Sequence, residues 1–271
     1  MGESCRRLVA GRPVGRTLRI HGRPDRPARV HRGTGNGSPS AGYSVLTLAL
    51  DTSTREGSVA LGEHGAVFGE ITLSVRATHS ETVLPAIDEL LRQAGRSARE
   101  LGAVVVGAGP GSFTGVRIGA ALARGICFPT GASLFAYSSL AVIAAGAEGV
   151  DADSQICALL DARRDQVYAA GYRISQGFEE LFAPFAAPLD EVLAGLDPDA
   201  WTFTGVLPDL QRARIVESGR RLLPVARGRP RATSLLRLAW NYPEAGRINE
   251  PARWEPTYVR ASSAERRLGD V

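Results

Sequence analysis

The segment from Val104 to Gly119, VVVGAGPGSFTGVRIG, constrains the fold of this chain more than any other. Three β-branched residues run into a glycine-rich turn that contains Pro110, and small and apolar residues then follow at helical spacing from Ile118 to Phe128. The pattern predicts a buried strand, a glycine loop and a helix. Such an arrangement presents backbone N–H groups and the positive end of a helix to an anion.

The loop lacks the residues that a phosphate-binding P-loop requires. Five residues separate Gly109 from Gly115, where that motif has four, and Val116 and Arg117 stand where the motif needs Lys and then Ser or Thr. The whole chain contains no lysine, because all 32 basic residues are arginine. A P-loop NTPase and any mechanism that uses a Schiff-base lysine are therefore excluded. A second interpretation stays open, in which the glycines only let the helix pack closely on the sheet.

Metal ligands are scarce as well. Of the four histidines, His21 and His31 lie in an N-terminal segment without structural patterning, and only His64 and His79 belong to the main body. A zinc site needs three or four nitrogen or sulfur ligands. No metal site made of protein side chains is predicted.

The cysteines predict a reduced protein. Cys127 and Cys157 sit in apolar surroundings typical of buried, inert thiols, and Cys5 makes their number odd, so there is no disulfide framework. No apolar run approaches the length of a transmembrane helix. We expect a cytoplasmic location.

Residues 1–43 form an Arg-, Gly- and Pro-rich extension that we expect to be disordered, because it has few large apolar residues to bury. The net charge of the whole chain is +4, and that of the extension is +7, so the remaining residues carry a net charge of −3. This body has no broad basic surface for nucleic acid. The extension could be a nucleic-acid-binding arm or a targeting peptide. The pattern favours a misassigned start, since Met1 is the only methionine and the first strand begins at Val45.

Hydrophobic patterning divides the remaining chain into two related α/β halves, residues 44–148 and 149–260, followed by a frayed tail at 261–271. In the first half it predicts a meander of three antiparallel strands, a helix over 79–94 that starts with a Thr78–Glu81 capping box and bends at Pro85, and the strand–loop–helix described above. The second half again opens with strands and then alternates. Its predicted strands lie at 156–161, 166–172, 181–185, 201–204 and 222–225, and its helices at 189–193, 207–216 and 233–242.

Several motifs together closely resemble the TsaB (YeaZ) family. They are Leu48–Thr54, Thr78-His79 with Leu84-Pro85, Gly109–Gly119, Asp161–Tyr168 and Glu255–Arg260. The resemblance implies a duplicated actin-like fold, shared with sugar kinases and the Hsp70 ATPase domain, in which each of two subdomains has a mixed sheet flanked by helices. It also implies a non-catalytic role.

In that family the catalytic partner is the paralogue TsaD, which carries metal-binding histidines and transfers threonylcarbamoyl from threonylcarbamoyl-AMP to N6 of adenosine 37 in tRNAs that read ANN codons. The resemblance implies that this chain binds TsaD, that the ATPase TsaE joins them, and that tRNA is reached through the complex. A homodimer is implied when TsaD is absent. The alternative is a self-sufficient small-molecule kinase or nucleotide-binding protein of the same fold.

The resemblance also implies where a nucleotide once bound. Asp51 would hold Mg²⁺ in active members of the superfamily, beside the first phosphate loop. The implied cofactor-binding residues, which we interpret as vestigial, are Asp51, Thr52, Ser53, Gly109, Gly111 and Ser112. No bound cofactor is expected. The alternative role of Asp51 is to cap its own turn.

The helices over 79–94 and 116–128 are implied to form the partner-binding surface, with Phe113 and Val116 as exposed anchors. The implied contact residues are His79, Val83, Ile87, Leu91, Phe113, Val116, Arg117 and Ala120. Two alternatives remain: both apolar stripes face the chain's own sheet, and His79 only packs or caps the helix. The charges of Asp161, Arg163, Arg164 and Asp165 either form ion pairs at a strand end or face a cleft between the halves.

Overall fold

The computed structural model describes residues 30–31, 45–74, 81–147, 150, 154–174 and 177–259. In chain order the elements are β1 (Val30–His31), β2 (Leu46–Asp51), β3 (Glu56–Glu63), β4 (Ala66–Ser74), α1 (Val83–Gln93), β5 (Leu101–Gly107), α2 (Phe113–Thr130), β6 (Ser133–Tyr137), α3 (Ser139–Ala145), β7 (Gln155–Arg163), β8 (Gln166–Ile174), β9 (Phe178–Pro188), α4 (Leu189–Ala194), β10 (Trp201–Val206), α5 (Asp209–Glu217), β11 (Arg221–Leu222), α6 (Ala232–Asn241), α7 (Pro243–Gly246) and β12 (Arg247–Ile248).

The first sheet has the strand order β12-β6-β5-β2-β3-β4. The strands β2, β3 and β4 pair antiparallel, which confirms the predicted meander, and β2, β5 and β6 run parallel. Every residue of β2 is buried, because the strand lies inside the sheet with both faces covered. The predicted strand–glycine loop–helix segment is confirmed as β5, its loop and α2.

The second sheet repeats this plan. Its order is β1-β9-β8-β7-β10-β11, with β7, β8 and β9 antiparallel and β7, β10 and β11 parallel. Two mixed sheets flanked by helices therefore confirm the predicted duplicated α/β fold. Within the extension, Val30 and His31 pair with β9 and form an edge of the sheet, and the expected disorder of the other residues before 45 lies outside the described part of the chain.

The two halves exchange helices. The helix α3, from the first half, packs on β7 and β8 of the second sheet, while α6, from the second half, packs on β2 and β3 of the first. Small side chains at Ala49 and Ala60 leave room for α6 and share one apolar core with Leu235 of that helix. The predicted second subdomain at 149–260 is thus corrected: the chain returns to the first sheet at α6, and β12 pairs with β6.

The helix α1 begins later than predicted. Its N-cap is Thr82, and the predicted capping box at Thr78–Glu81 lies largely outside the described residues. Pro85 is consequently in the first turn, where backbone N–H groups have no partner within the helix. Pro85 therefore removes no hydrogen bond from the helix interior, and the bond between the Ala86 N–H and the Thr82 carbonyl is present at 3.3 Å.

Candidate functional site

The carboxylate of Asp51 is enclosed by the chain itself at the end of β2. Its Oδ1 accepts hydrogen bonds from the backbone N–H of Ser53 at 2.8 Å and from the Ser53 hydroxyl at 2.6 Å, and its Oδ2 accepts from the Ser139 hydroxyl at 2.9 Å. A Cβ at Gly107 would lie 1.9 Å from that Oδ2. Glycine at residue 107 is therefore what allows the carboxylate to approach β5.

The glycine loop packs directly on Thr52 and Ser53. The Ser112 N–H donates to the Ser53 carbonyl at 2.7 Å, and the Thr52 hydroxyl donates to the Gly115 carbonyl at 2.7 Å. A Cβ would lie 2.3 Å from the Ser53 carbonyl oxygen if added at Gly111, and 2.0 Å from the Thr52 carbonyl oxygen if added at Gly115. The glycines thus serve close contact between the start of α2 and the β2–β3 turn.

The structure brings together all the residues that were predicted as a vestigial nucleotide site. Thr52 and Ser53 are only 1% and 2% exposed, and Asp51 is fully buried. The Gly115 N–H is bound by the Ser112 hydroxyl at 3.3 Å, and the Gly109 carbonyl accepts from the Ser139 N–H at 2.7 Å. Polar groups that would cradle a phosphate in an open loop are here directed at the chain's own atoms.

The predicted apolar contacts of α1 are buried within the chain. Val83, Ile87 and Leu91 belong to the core between α1, α2 and the first sheet. The alternative interpretation, in which this stripe faces the chain's own sheet, therefore describes α1. Its exposed apolar surface is instead at Leu84, which is 45% exposed. His79 lies outside the described residues.

The expectation that Val116 is an exposed anchor is wrong. Val116 and Ala120 are both buried, because they lie on the side of α2 that packs on the first sheet. The opposite side of α2 carries Arg117, Ala121 and Gly125, which are exposed. In the last turn of α2 the same side carries Phe128, whose side chain is 92% exposed. Sequence reasoning missed Phe128, although its spacing from Ala121 and Gly125 places all three on one helix face.

An extended C-terminal segment crosses the exposed side of α2. Arg124 donates from Nη2 to the Ala252 carbonyl at 2.6 Å, and the Thr257 N–H donates to the Ala108 carbonyl at 3.1 Å. At its end the Tyr258 ring lies 5.2 Å from the Phe113 ring. We call residues 250–258 the strap. The Glu255–Arg260 motif lies here, but the sequence contained no signal for docking of this segment on α2.

The β7–β8 turn has an unusual backbone. Arg163, Arg164 and Asp165 all have positive φ angles, of 62°, 55° and 59°. A two-residue hairpin turn of this kind normally contains Asn and Gly. The predicted ion pairing is present for Asp165, whose carboxylate contacts Arg214 at 2.8 Å, whereas Asp161 accepts a hydrogen bond from the Arg163 backbone N–H.

The cysteines have the character of buried thiols. Burial raises the pKa of Cys127 to about 11, and it also raises the pKa of Cys157. Among the described residues, no group of three or more His, Cys, Asp and Glu side chains is placed to hold a metal ion. No helix in the same part of the chain has the length and apolar character needed to cross a membrane.

Comparison with known proteins agrees with this architecture. Residues 67–193 match a family model described as "TsaD: tRNA N6-adenosine threonylcarbamoyltransferase". The chain is 31% identical over 237 residues to the Escherichia coli tRNA threonylcarbamoyladenosine biosynthesis protein TsaB, covering 82% of this chain and 97% of that protein. It is 36% identical over 140 residues to the Bacillus subtilis protein of the same name, covering 52% and 60%. The solved structure of YeaZ from Pseudomonas aeruginosa is similar, with 28% identity and a TM-score of 0.65 over 79% of this chain and 99% of that one.

Proposed function

Because this chain belongs to the TsaB family, we propose that it acts in the biosynthesis of threonylcarbamoyladenosine in tRNA, as a subunit that binds a TsaD-like catalytic partner and performs no chemistry itself. A TsaE-like ATPase and tRNA join through that complex, in the cytoplasm. When the partner is absent, the same surface pairs two copies of the chain.

The closed glycine loop is the observation that supports a non-catalytic role. A kinase of this fold must hold Mg²⁺ and phosphate with a loop that is open to substrate. Here the Asp51 carboxylate accepts hydrogen bonds from Ser53 and Ser139, and the Thr52 hydroxyl donates its hydrogen bond to the Gly115 carbonyl. The loop that identifies the fold is used to fix the start of α2.

The exposed side of α2 supports the partner-binding role. Hot spots at protein interfaces are aromatic and arginine side chains, and this side presents Phe128 and Arg117. Gly125 adds a place for close approach, since a Cβ there would meet no atom of the chain within 4 Å. Leu84 of α1 is a further exposed apolar side chain. We therefore transfer the predicted contact role from the buried residues Val83, Ile87, Leu91, Val116 and Ala120 to these exposed side chains.

Reconstitution tests the proposal. The chain is mixed with a TsaD-like subunit, a TsaE-like subunit, threonylcarbamoyl-AMP and tRNA, and modified adenosine is measured with each protein omitted in turn. We expect no product without this chain and none from this chain alone. Product formed at the full rate in its absence would overturn the subunit role.

A matched pair of variants locates the surface. Phe128→Asp is expected to abolish both heterodimer formation and product, because it places a charge where the proposed contact has its most exposed aromatic side chain. Leu210→Asp is the control, since Leu210 is an exposed apolar residue on α5, away from α2, and is 73% exposed. Equal losses in the two variants would contradict the assignment of this face.

A further inference from the structure

The strap, which contains residues 255–258 of the Glu255–Arg260 motif, packs on the glycine loop that precedes α2. The Thr257 N–H is bonded to the Ala108 carbonyl, and Gly109 lies so close that a Cβ there would be 3.3 Å from the Thr257 carbonyl oxygen. Trp254 packs against the core under α2. The strap is therefore a fixed part of the surface around α2, held at both its start and its end.

The strap and α2 together orient one arginine. The guanidinium carbon of Arg117 lies 3.9 Å from the centre of the Phe113 ring and 5.7 Å from that of Tyr258. Its Nε donates to the Tyr258 hydroxyl at 3.1 Å. A planar guanidinium that is stacked on a ring and bonded through Nε keeps its two Nη groups as a fork for a carboxylate.

The charge of Arg117 is not neutralised by an ion pair in the described part of the chain. Within the described ranges, no Asp or Glu forms an ion pair with Arg117, and α2 itself carries no acidic residue. Two aromatic rings thus hold a charged fork in place and present it outward. Preorganisation of this kind strengthens binding, because little side-chain entropy is lost when the partner arrives.

We propose that the strap and the first turns of α2 form one composite docking surface, in which Phe113 and Tyr258 hold the Arg117 guanidinium for a carboxylate side chain of the catalytic partner. The inference rests on the proposed function and adds to it a second element of the surface and the chemistry of the contact. It also gives the Glu255–Arg260 motif a role.

A protein carboxylate fits this surface better than an RNA phosphate. Binding to a phosphate backbone needs several cations along its path. Here the strap carries the exposed acid Glu255, and the only other basic side chain along α2, Arg124, is bound to the carbonyls of Ala252 and Trp254. The exposed Phe128 on the same helix favours a partner with an apolar surface.

The test measures the affinity of the full chain for the purified catalytic subunit by titration calorimetry. We expect Arg117→Gln to weaken binding by roughly 10- to 100-fold, and Arg117→Lys to recover only part of that loss because an ammonium cannot form the stacked fork. Tyr258→Phe keeps the ring but removes the bond to Nε, and it should weaken binding by roughly 3- to 10-fold.

The control is Arg173→Gln, which removes a guanidinium from β8 of the second sheet, outside the proposed docking surface, where Arg173 pairs with Glu179 at 2.9 Å. Its affinity should match that of the wild-type chain, and thermal melts should show that every variant folds. Unchanged affinity of Arg117→Gln beside tight wild-type binding would overturn the docking surface alone. A loss of tRNA affinity with an intact heterodimer would overturn it in favour of RNA contact. No binding by the wild-type chain would overturn the proposed function as well.

Discussion

Replacing Gly115 with alanine is expected to destabilise this chain, although alanine is the better helix former. Gly115 and Gly125 both lie inside α2. A Cβ at residue 115 would lie 2.0 Å from the Thr52 carbonyl oxygen, whereas a Cβ at residue 125 would meet no atom within 4 Å. The two substitutions share a gain in helix propensity of roughly 1 kcal/mol. They differ in their steric cost.

The size of that cost follows from the contact. Overpacking in a close-packed region costs roughly 1–3 kcal/mol, and the atom in the way belongs to the backbone of Thr52. Moving Thr52 also weakens its hydroxyl bond to the Gly115 carbonyl, worth about 1 kcal/mol. After subtraction of the propensity gain, Gly115→Ala should lower the free energy of unfolding by about 1–3 kcal/mol. Gly125→Ala should raise it by roughly 0.5–1 kcal/mol.

Urea denaturation followed by tryptophan fluorescence measures both variants. The slopes of the transitions should match that of the wild-type chain, so that a shift in midpoint reports stability. Equal stabilisation by the two alanines would show that α2 does not approach the Thr52 carbonyl. In that case our account of the glycine motif as a packing device would be refuted.

The other predictions concern single polar side chains. Arg164→Asn should raise the free energy of unfolding by roughly 1 kcal/mol, because asparagine tolerates positive φ better than arginine; an unchanged midpoint in a thermal melt would contradict this. Burial raises the pKa of Glu70, but hydrogen bonds, the largest from Arg231, more than offset it, so that this pKa lies below its usual 4.5. The stability that Glu70 contributes is thus present at neutral pH and lost as the pH falls through the lowered folded-state pKa. Glu70→Gln should therefore flatten the acid side of the stability–pH curve, and a parallel loss in both proteins would count against it. Ser139→Ala removes a donor from the buried Asp51 carboxylate and should cost about 1–3 kcal/mol in urea denaturation, whereas a change within error would show that Asp51 does not need this bond.

Most of the fold could be predicted from local patterns. The meander, the helix α2 and the alternating second half each follow from hydrophobic periodicity and turn residues within short windows. The start of α1 and the placement of α6 could not be predicted in this way. The position of α6 depends on contacts between Leu235 and small residues such as Ala60, which lie far apart in the chain.

In the candidate site, too, the features that depend on long-range contacts could not be predicted from the sequence. The grouping of Asp51 with the glycine loop was implied by the family resemblance, but the closure of that loop depends on which backbone oxygen each glycine faces. Burial of Val116 and exposure of Phe128 likewise depend on which side of α2 meets the sheet. The bond between Arg117 and Tyr258 joins residues 141 positions apart, and no sequence pattern indicated it.

The exchange of helices also determines when this protein can complete its folding on the ribosome. One face of the first sheet is covered by α6, which ends at Asn241 and is therefore synthesised long after α3 ends at Ala145. At the usual rate of translation this interval is roughly 5–20 s. During that time the nascent chain displays the uncovered apolar face around Ala49 and Ala60. A holding chaperone is expected to bind there until α6 emerges.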